Sequence, residues 1–329
     1  MCGSFETELK QKFKWLGQIL SCKGLSDSVS ETVRAREGKI RGACLEISHI
    51  INDWRSKVSG GMATALTLWE ACCIPSLLHG AGTWTEISPA IEKSLNQLQC
   101  WYLKLIYQVG PGAPSASLLW DTNVLDMSLR IWKEKLLFVL HLRNLEEKTL
   151  ARTVYEEQKR QRWPGLAIET ENICQQLCIE DCNTTTLNKL AYKKILTKAL
   201  HRKNEEMLRT FAQGKCERIG REEYGRKDYI DKKNIYHIRQ QYRSRFGLQP
   251  FSGNYPNDKR YSMTGGLCRC KEAREEESHL LSGQCKVFGD LAEGFSDFSN
   301  DESLVQLFSA VLDRRDQLDK YTKILDEEE

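Results

Sequence analysis

Residues 88–112 read SPAIEKSLNQLQCWYLKLIYQVGPG, and this stretch decides the fold class. Ser88 is a favoured N-cap, and Pro89 suits the first helical position, where its missing N–H has no partner to lose. Ile91, Leu95, Leu98, Tyr102, Leu105 and Ile106 then recur at three- and four-residue steps, the period of one helix face, until Gly110-Pro111-Gly112 stops the pattern. The same texture extends in both directions. Upstream, Ser30 to Asn52 runs from Arg34, Arg36, Lys39 and Arg41 into Leu45, Ile47, Ile50 and Ile51, and Met62 to Cys73 aligns Leu66, Trp69 and Cys73 before Pro75 interrupts. Downstream, Asp126 opens a helix carrying Leu129, Trp132, Leu136, Val139 and Leu140, and Thr149 to Arg162 makes a shorter one ended by Trp163-Pro164-Gly165. Two-residue alternation is weak; Phe13 to Leu20 is the best strand candidate. The expected fold is mainly α: a strand segment in 1–25, a helical bundle over 26–165, a basic helical region over 166–260, a small Cys/His motif in 261–290, and an acidic helix and tail over 291–329.

With 329 residues, 40% hydrophobic and 28% charged, the chain has material for about two domains and a real core, which excludes a disulfide miniprotein or a disordered chain. The net charge of +3 hides a local asymmetry. Residues 186–260 carry nineteen basic groups against eight acidic, and 286–329 carry five against twelve. Within the basic block, Lys194, Lys198 and Arg202 stand on one side of a long helix predicted over 187–212, away from Tyr192, Ile195, Leu196 and Ala199. Further on, Tyr236, Arg239, Tyr242, Arg243, Arg245, Phe246, Tyr255, Lys259, Arg260 and Tyr261 interleave aromatic and cationic side chains. Such a mixture suits single-stranded nucleic acid, where cations meet phosphates and rings stack on bases. It equally suits a helix with a buried aromatic stripe and solvated arginines.

Thirteen cysteines raise the question of compartment. Residues 1–14 include Glu6, Glu8, Lys10, Lys12 and Lys14 and so lack an apolar signal core, which predicts an intracellular, reducing setting and no secretion. The best apolar run, Leu136–Leu142, is too short for a membrane span and contains His141. Cys174, Cys178 and Cys182 are spaced as one helix face rather than as a cluster site, and Cys44, Cys72, Cys73 and Cys100 read as core positions. Cys268, Cys270, His279 and Cys285 differ. Their Cys-x-Cys-x8-His-x5-Cys spacing offers three thiolates and one imidazole, a complete tetrahedral set that leaves no open position, so a bound Zn²⁺ would be structural. The bland alternative is unrelated buried thiols beside a surface histidine.

Motifs for nucleophilic, nucleotide-binding or two-metal catalysis are missing: no Gly-x-Ser-x-Gly, no phosphate-binding glycine loop and no adjacent aspartates. His49, His79 and His141 stand alone in helical segments.

Several phrases in order resemble the downstream part of a non-long-terminal-repeat (LINE-type) retrotransposon reverse transcriptase. Phe13-Lys14-Trp15-Leu16-Gly17 is similar to the strand that ends that family's palm. Residues 34–52, Leu68-Trp69-Glu70 and the run from Ile74-Pro75-Ser76-Leu77-Leu78-His79-Gly80 to Trp84 are similar to its helical thumb. Ile91 to Ile106, Leu119-Trp120-Asp121 and Arg130-Ile131-Trp132 are similar to the helices beyond it, and Arg243-Ser244-Arg245-Phe246 followed by the Cys/His set is similar to its closing motif. The resemblance implies a thumb-like bundle, a zinc-knuckle-like motif, and RNA or DNA as partner. It makes Arg34, Arg36, Lys39 and Arg41 expected backbone contacts, with Lys194, Lys198, Arg202, Arg239, Arg243 and Arg245 as further ones. The family's catalytic aspartates precede the palm-end strand, and this chain has none to match them, so the expectation is a truncated product that does not polymerise. A helical protein-interaction module that binds no nucleic acid is the competing expectation.

Overall fold

The computed structural model describes residues 12–15, 17–53, 61–85, 87–180, 188–212, 224–232, 235–246, 248, 267–275, 277–293 and 301–328. Among these the architecture is mainly helical, with one two-stranded antiparallel hairpin, β1 (Lys12–Trp15) and β2 (Gln18–Ser21). Lys12 pairs with Ser21 and Trp15 with Gln18. The single strand expected at Phe13–Leu20 is thus two strands turning at Gly17, whose φ of 80° is in the left-handed region.

The helices follow as α1 (Leu25–Asp53), α2 (Gly61–Leu68), α3 (Ile74–Leu77), α4 (Pro89–Tyr107), α5 (Ser115–Thr122), α6 (Met127–Arg143), α7 (Leu150–Arg160), α8 (Leu166–Leu177), α9 (Lys189–Ala212), α10 (Tyr229–Lys232), α11 (Ile235–Arg245), α12 (Glu277–Leu281), α13 (Gly289–Glu293) and α14 (Asp301–Glu328). A π-turn, Trp69–Cys73, joins α2 to α3 with helical backbone on both sides, so Pro75, at the start of α3, lies in continuous helical winding where the sequence suggested an interruption.

Two compact units emerge. The first takes residues 1–53, 63–106 and 114–227; the second takes 54–62, 107–113 and 228–329. The last boundary falls at 227–228. Residues 107–113 join the second unit through Tyr107, at the end of α4, which packs on Tyr242 of α11 with ring centroids 4.6 Å apart.

In the first unit, Trp69 of the π-turn stacks on Tyr102 of α4 at 4.7 Å, and the Tyr102 hydroxyl donates to the Ala65 carbonyl at 2.7 Å. A second layer is apolar. Leu136, Val139, Leu140, Ile173, Leu177, Leu196 and Leu200 bury the faces of α6, α8 and α9 against one another. Polar corners are satisfied from within: Asp126 caps α6 by accepting from Ser128 N–H at 2.9 Å, and buried Asn204 accepts from Asp126 N–H while donating to the Val124 carbonyl. Arg130 forks onto Glu70 of the π-turn, one branch at 2.7 Å, and tethers it to α6. In the second unit, Phe288, Leu307, Phe308 and Val311 bury α14 against the segment that carries the Cys/His set. None of the helices is long and apolar enough to cross a membrane, among the described residues.

Candidate metal centre

Cys268 and Cys270 flank a tight turn. An antiparallel bridge joins Leu267 to Arg274, Cys268 N–H donates to the Ala273 carbonyl at 2.8 Å, and Lys271 N–H donates back to the Cys268 carbonyl at 2.8 Å. Lys271 adopts φ of 65°, which rotates the chain so that Glu272 N–H points at Cys270 Sγ, 3.5 Å away. The opposite wall is α12, which delivers His279 and ends at Gly283, φ 69°, where the left-handed backbone reverses the chain into Cys285. Gly289 then passes so near Gly283 that an added Cβ would lie 2.4 Å from the Gly283 carbonyl oxygen.

These turns bring four ligand atoms within 4.8 Å of one another. Cys268 Sγ lies 3.6 Å from Cys285 Sγ, and Cys270 Sγ lies 3.3 Å from His279 Nε2. A tetrahedral ion with metal–sulfur bonds of about 2.3 Å and metal–nitrogen bonds of about 2.0 Å needs ligand separations near 3.8 Å and 3.5 Å. Those two separations fit a metal ion, and the wider ones, up to 4.8 Å, need side-chain shifts of about 1 Å to close on it. Cys268 and Cys285 are buried, and Cys270 and His279 are half-buried. Burial pushes the Cys268 thiol up; on Cys270 burial acts in the same sense, but hydrogen bonds from Glu272 N–H and from Cys268, Ala273 N–H and Cys285 outweigh it and hold that thiol below its usual range. Three thiolates this close repel one another, and a bound cation removes that cost.

The surrounding shell was not legible from the motif. Glu275, buried, pairs with Arg315 of α14 at 3.4 Å. Arg314 grips Asp290 through two bonds of 2.5 and 2.8 Å and donates to the Val287 carbonyl. The one hint in the sequence was the apolar stripe Leu304, Leu307, Phe308, Val311 at helical spacing.

The expected cationic contacts fare unequally. Arg36 turns inward: its guanidinium donates to the carbonyls of Gly17, Leu77 and His79 at 2.8–2.9 Å, which ties β1–β2, α1 and α3 together. Burial lowers its pKa. Arg41 lies over the Trp101 ring at 4.9 Å, Arg34 pairs with Glu31 at 3.3 Å, and Lys39 is exposed. Arg202 donates to the Leu177 carbonyl at 2.6 Å and so closes the end of α8, whereas Lys194 and Lys198 are exposed. On α11, Arg239 is buried, which pulls its pKa down to about 10 with Arg243 adding to the effect. Arg243 donates to the Gln108 carbonyl at 2.6 Å, and Arg245 lies over Tyr229 and Phe246. Tyr242 is fully buried and Phe246 half-buried, with their ring centroids 5.0 Å apart. Tyr255, Lys259, Arg260, Tyr261 and Cys182 lie outside them. Of the remaining cysteines, Cys44, Cys73 and Cys174 are buried, Cys72 is exposed and Cys100 half-buried; Cys178 is exposed where α8 ends in the left-handed region, so it leaves the face it was expected to share.

A cleft of about 530 Å³ that the sequence did not single out opens between the hairpin, α1 and α3. Lys14, Arg36, Lys39 and His79 line it, with Thr32 and Ser76 and no carboxylate.

Compared with protein-family models, curated proteins and solved structures, the chain matches none.

Proposed function

We propose that the chain binds RNA or DNA, and that it is a non-polymerising piece of a LINE-type reverse transcriptase whose C-terminal unit is held by a structural Zn²⁺. The observation that carries the binding is the cleft beside α1, where three cationic side chains and two hydroxyls converge with no carboxylate to neutralise them. Arg36, bonded to three carbonyls, shapes its floor, and Lys14 and Lys39, both exposed, supply the reach. Phosphate backbones are the ligand such a surface suits, and their binding weakens steeply with salt. Three sulfurs and one imidazole favour zinc over magnesium or calcium, which take oxygen donors.

Gel shift of the full chain with single- and double-stranded RNA and DNA at low and physiological salt tests the reading. Salt-sensitive binding that drops in Lys14→Ala/Lys39→Ala supports it. No shift at low salt overturns it in favour of a protein-interaction module. Primer extension in Mg²⁺ should give no product; extension would overturn the non-polymerising part.

A further inference from the structure

We infer that the cleft between β1–β2, α1 and α3 reads the end of a strand: it seats a terminal phosphate monoester against the open donors of Arg36, between Lys14 and Lys39. The inference rests on the nucleic-acid reading above and names what that same cleft selects.

Arg36 is the recessed cation of the lining, half-buried where Lys14 and Lys39 are exposed. A guanidinium carries five N–H donors. Here Nη1 serves the Leu77 and His79 carbonyls and Nη2 the Gly17 carbonyl, so Nε–H and a second Nη2–H have no acceptor among the described residues. The three bonds also fix the group in place, and a ligand meets it already oriented. Its charge is open as well. Glu31 and Glu37, the acids nearest to Arg36 along α1, are engaged elsewhere: Glu31 pairs with Lys12 at 3.1 Å and Arg34 at 3.3 Å, and Glu37 accepts from the Ser94 hydroxyl at 2.6 Å. Neither lines the cleft. Burial lowers the Arg36 pKa with no carboxylate to offset it, and a bound oxyanion supplies the missing partner.

Charge and room select the kind of phosphate. An internal phosphodiester carries a single charge and has sugar on both sides. A terminal monoester carries about −1.5 to −2 near pH 7 and presents three acceptor oxygens. Two exposed lysines and one guanidinium with a pair of open donors match the monoester, whose oxygens can take a forked bond from Arg36 and both ammonium groups together. The volume of about 530 Å³ falls among small-molecule sites, which span about 300–1,000 Å³. Ile19, Ala35, Ile40 and Pro75 add an apolar side, against which the sugar or base of one end nucleotide can pack.

The test measures the full chain against a single-stranded oligonucleotide of about 12 nucleotides, labelled at an internal base, with hydroxyl ends, a 5′-phosphate or a 3′-phosphate. An oligonucleotide one residue longer with hydroxyl ends controls for the added charge. A phosphorylated form should bind about tenfold tighter than both hydroxyl forms, and the form that gains identifies the end that is read. Lys14→Ala/Lys39→Ala should erase the gain with circular dichroism unchanged, because both side chains are exposed. Adenosine monophosphate should compete the gain away, and adenosine should not. If all four oligonucleotides bind equally and weaken with salt, end reading is overturned while the proposed function stands. A gain that persists in the double variant lies outside the cleft and overturns it too. Adenosine monophosphate binding without any gain for the phosphorylated oligonucleotides would make this a free-nucleotide pocket and overturn the strand-end reading. If the unaltered chain binds no oligonucleotide, both readings fall.

Discussion

Arg36 contributes three hydrogen bonds to carbonyls of two distant segments, one at Gly17 and the other at Leu77 and His79. Replacing it by Met removes all three, one of them half-buried, so Arg36→Met should lose about 2 kcal/mol in denaturant unfolding. Lys39→Met, on the same helix but exposed, should stay within about 0.5 kcal/mol. Equal losses would remove the distinction between clamp and surface cation. Charge and helical face are readable from sequence but a partner is not, which is why the bonds of Arg36, Arg202 and Arg243 to the protein's own carbonyls were not foreseen. The Cys268, Cys270, His279 and Cys285 cluster, which could hold a metal ion, was legible for the opposite reason: all four lie within 18 positions, so local spacing alone brings them together.

At the scale of elements, α14 is a wall of the metal centre as well as an acidic tail. Arg315→Met removes a cationic partner of buried Glu275 and should destabilise this unit by about 2 kcal/mol, read as a lowered melting midpoint. Adding Glu275→Gln should return part of the loss, and an additive double variant would show that the two side chains do not interact. Long helices such as α4 and α6 were readable because periodic stripes accumulate over several turns. The π-turn, α5, α10 and α13 were not. Elements of four to eight residues hold too little periodicity to stand out, and tertiary packing decides their form.

For the whole molecule, two units with separate cores predict separate responses to metal removal. In the segment 267–293 the large apolar side chains that are fully buried are Leu280 and Phe288, which pack with Leu307, Phe308 and Val311 of α14, so its stability depends on α14 and on the Cys/His cluster. Zinc chelation should raise amide hydrogen exchange in 267–293 and 301–318 and leave 91–142 protected. Cys270→Ala or His279→Ala should abolish stoichiometric zinc in elemental analysis. Exchange that rises equally along the chain would count against this separation. The pairing of Tyr107 with Tyr242 spans 135 positions, so no local pattern marks residues 107–113 as part of the second unit.

The π-turn at Trp69–Cys73 carries one residue more than an α-helical turn would hold, and Glu70 within it meets Arg130. A turn of this kind and an α-helical turn sweep nearly the same angle, so the helical segments on either side keep their phase although the chain carries one residue more. Leu77 and Leu78 therefore hold their place in the core, and the widened turn lies just before Pro75, which has no N–H to give to a regular ladder. The segment can absorb a change of length that other helices cannot: losing Ala71 should cost less stability than losing one residue from the middle of α4, as read by denaturant unfolding.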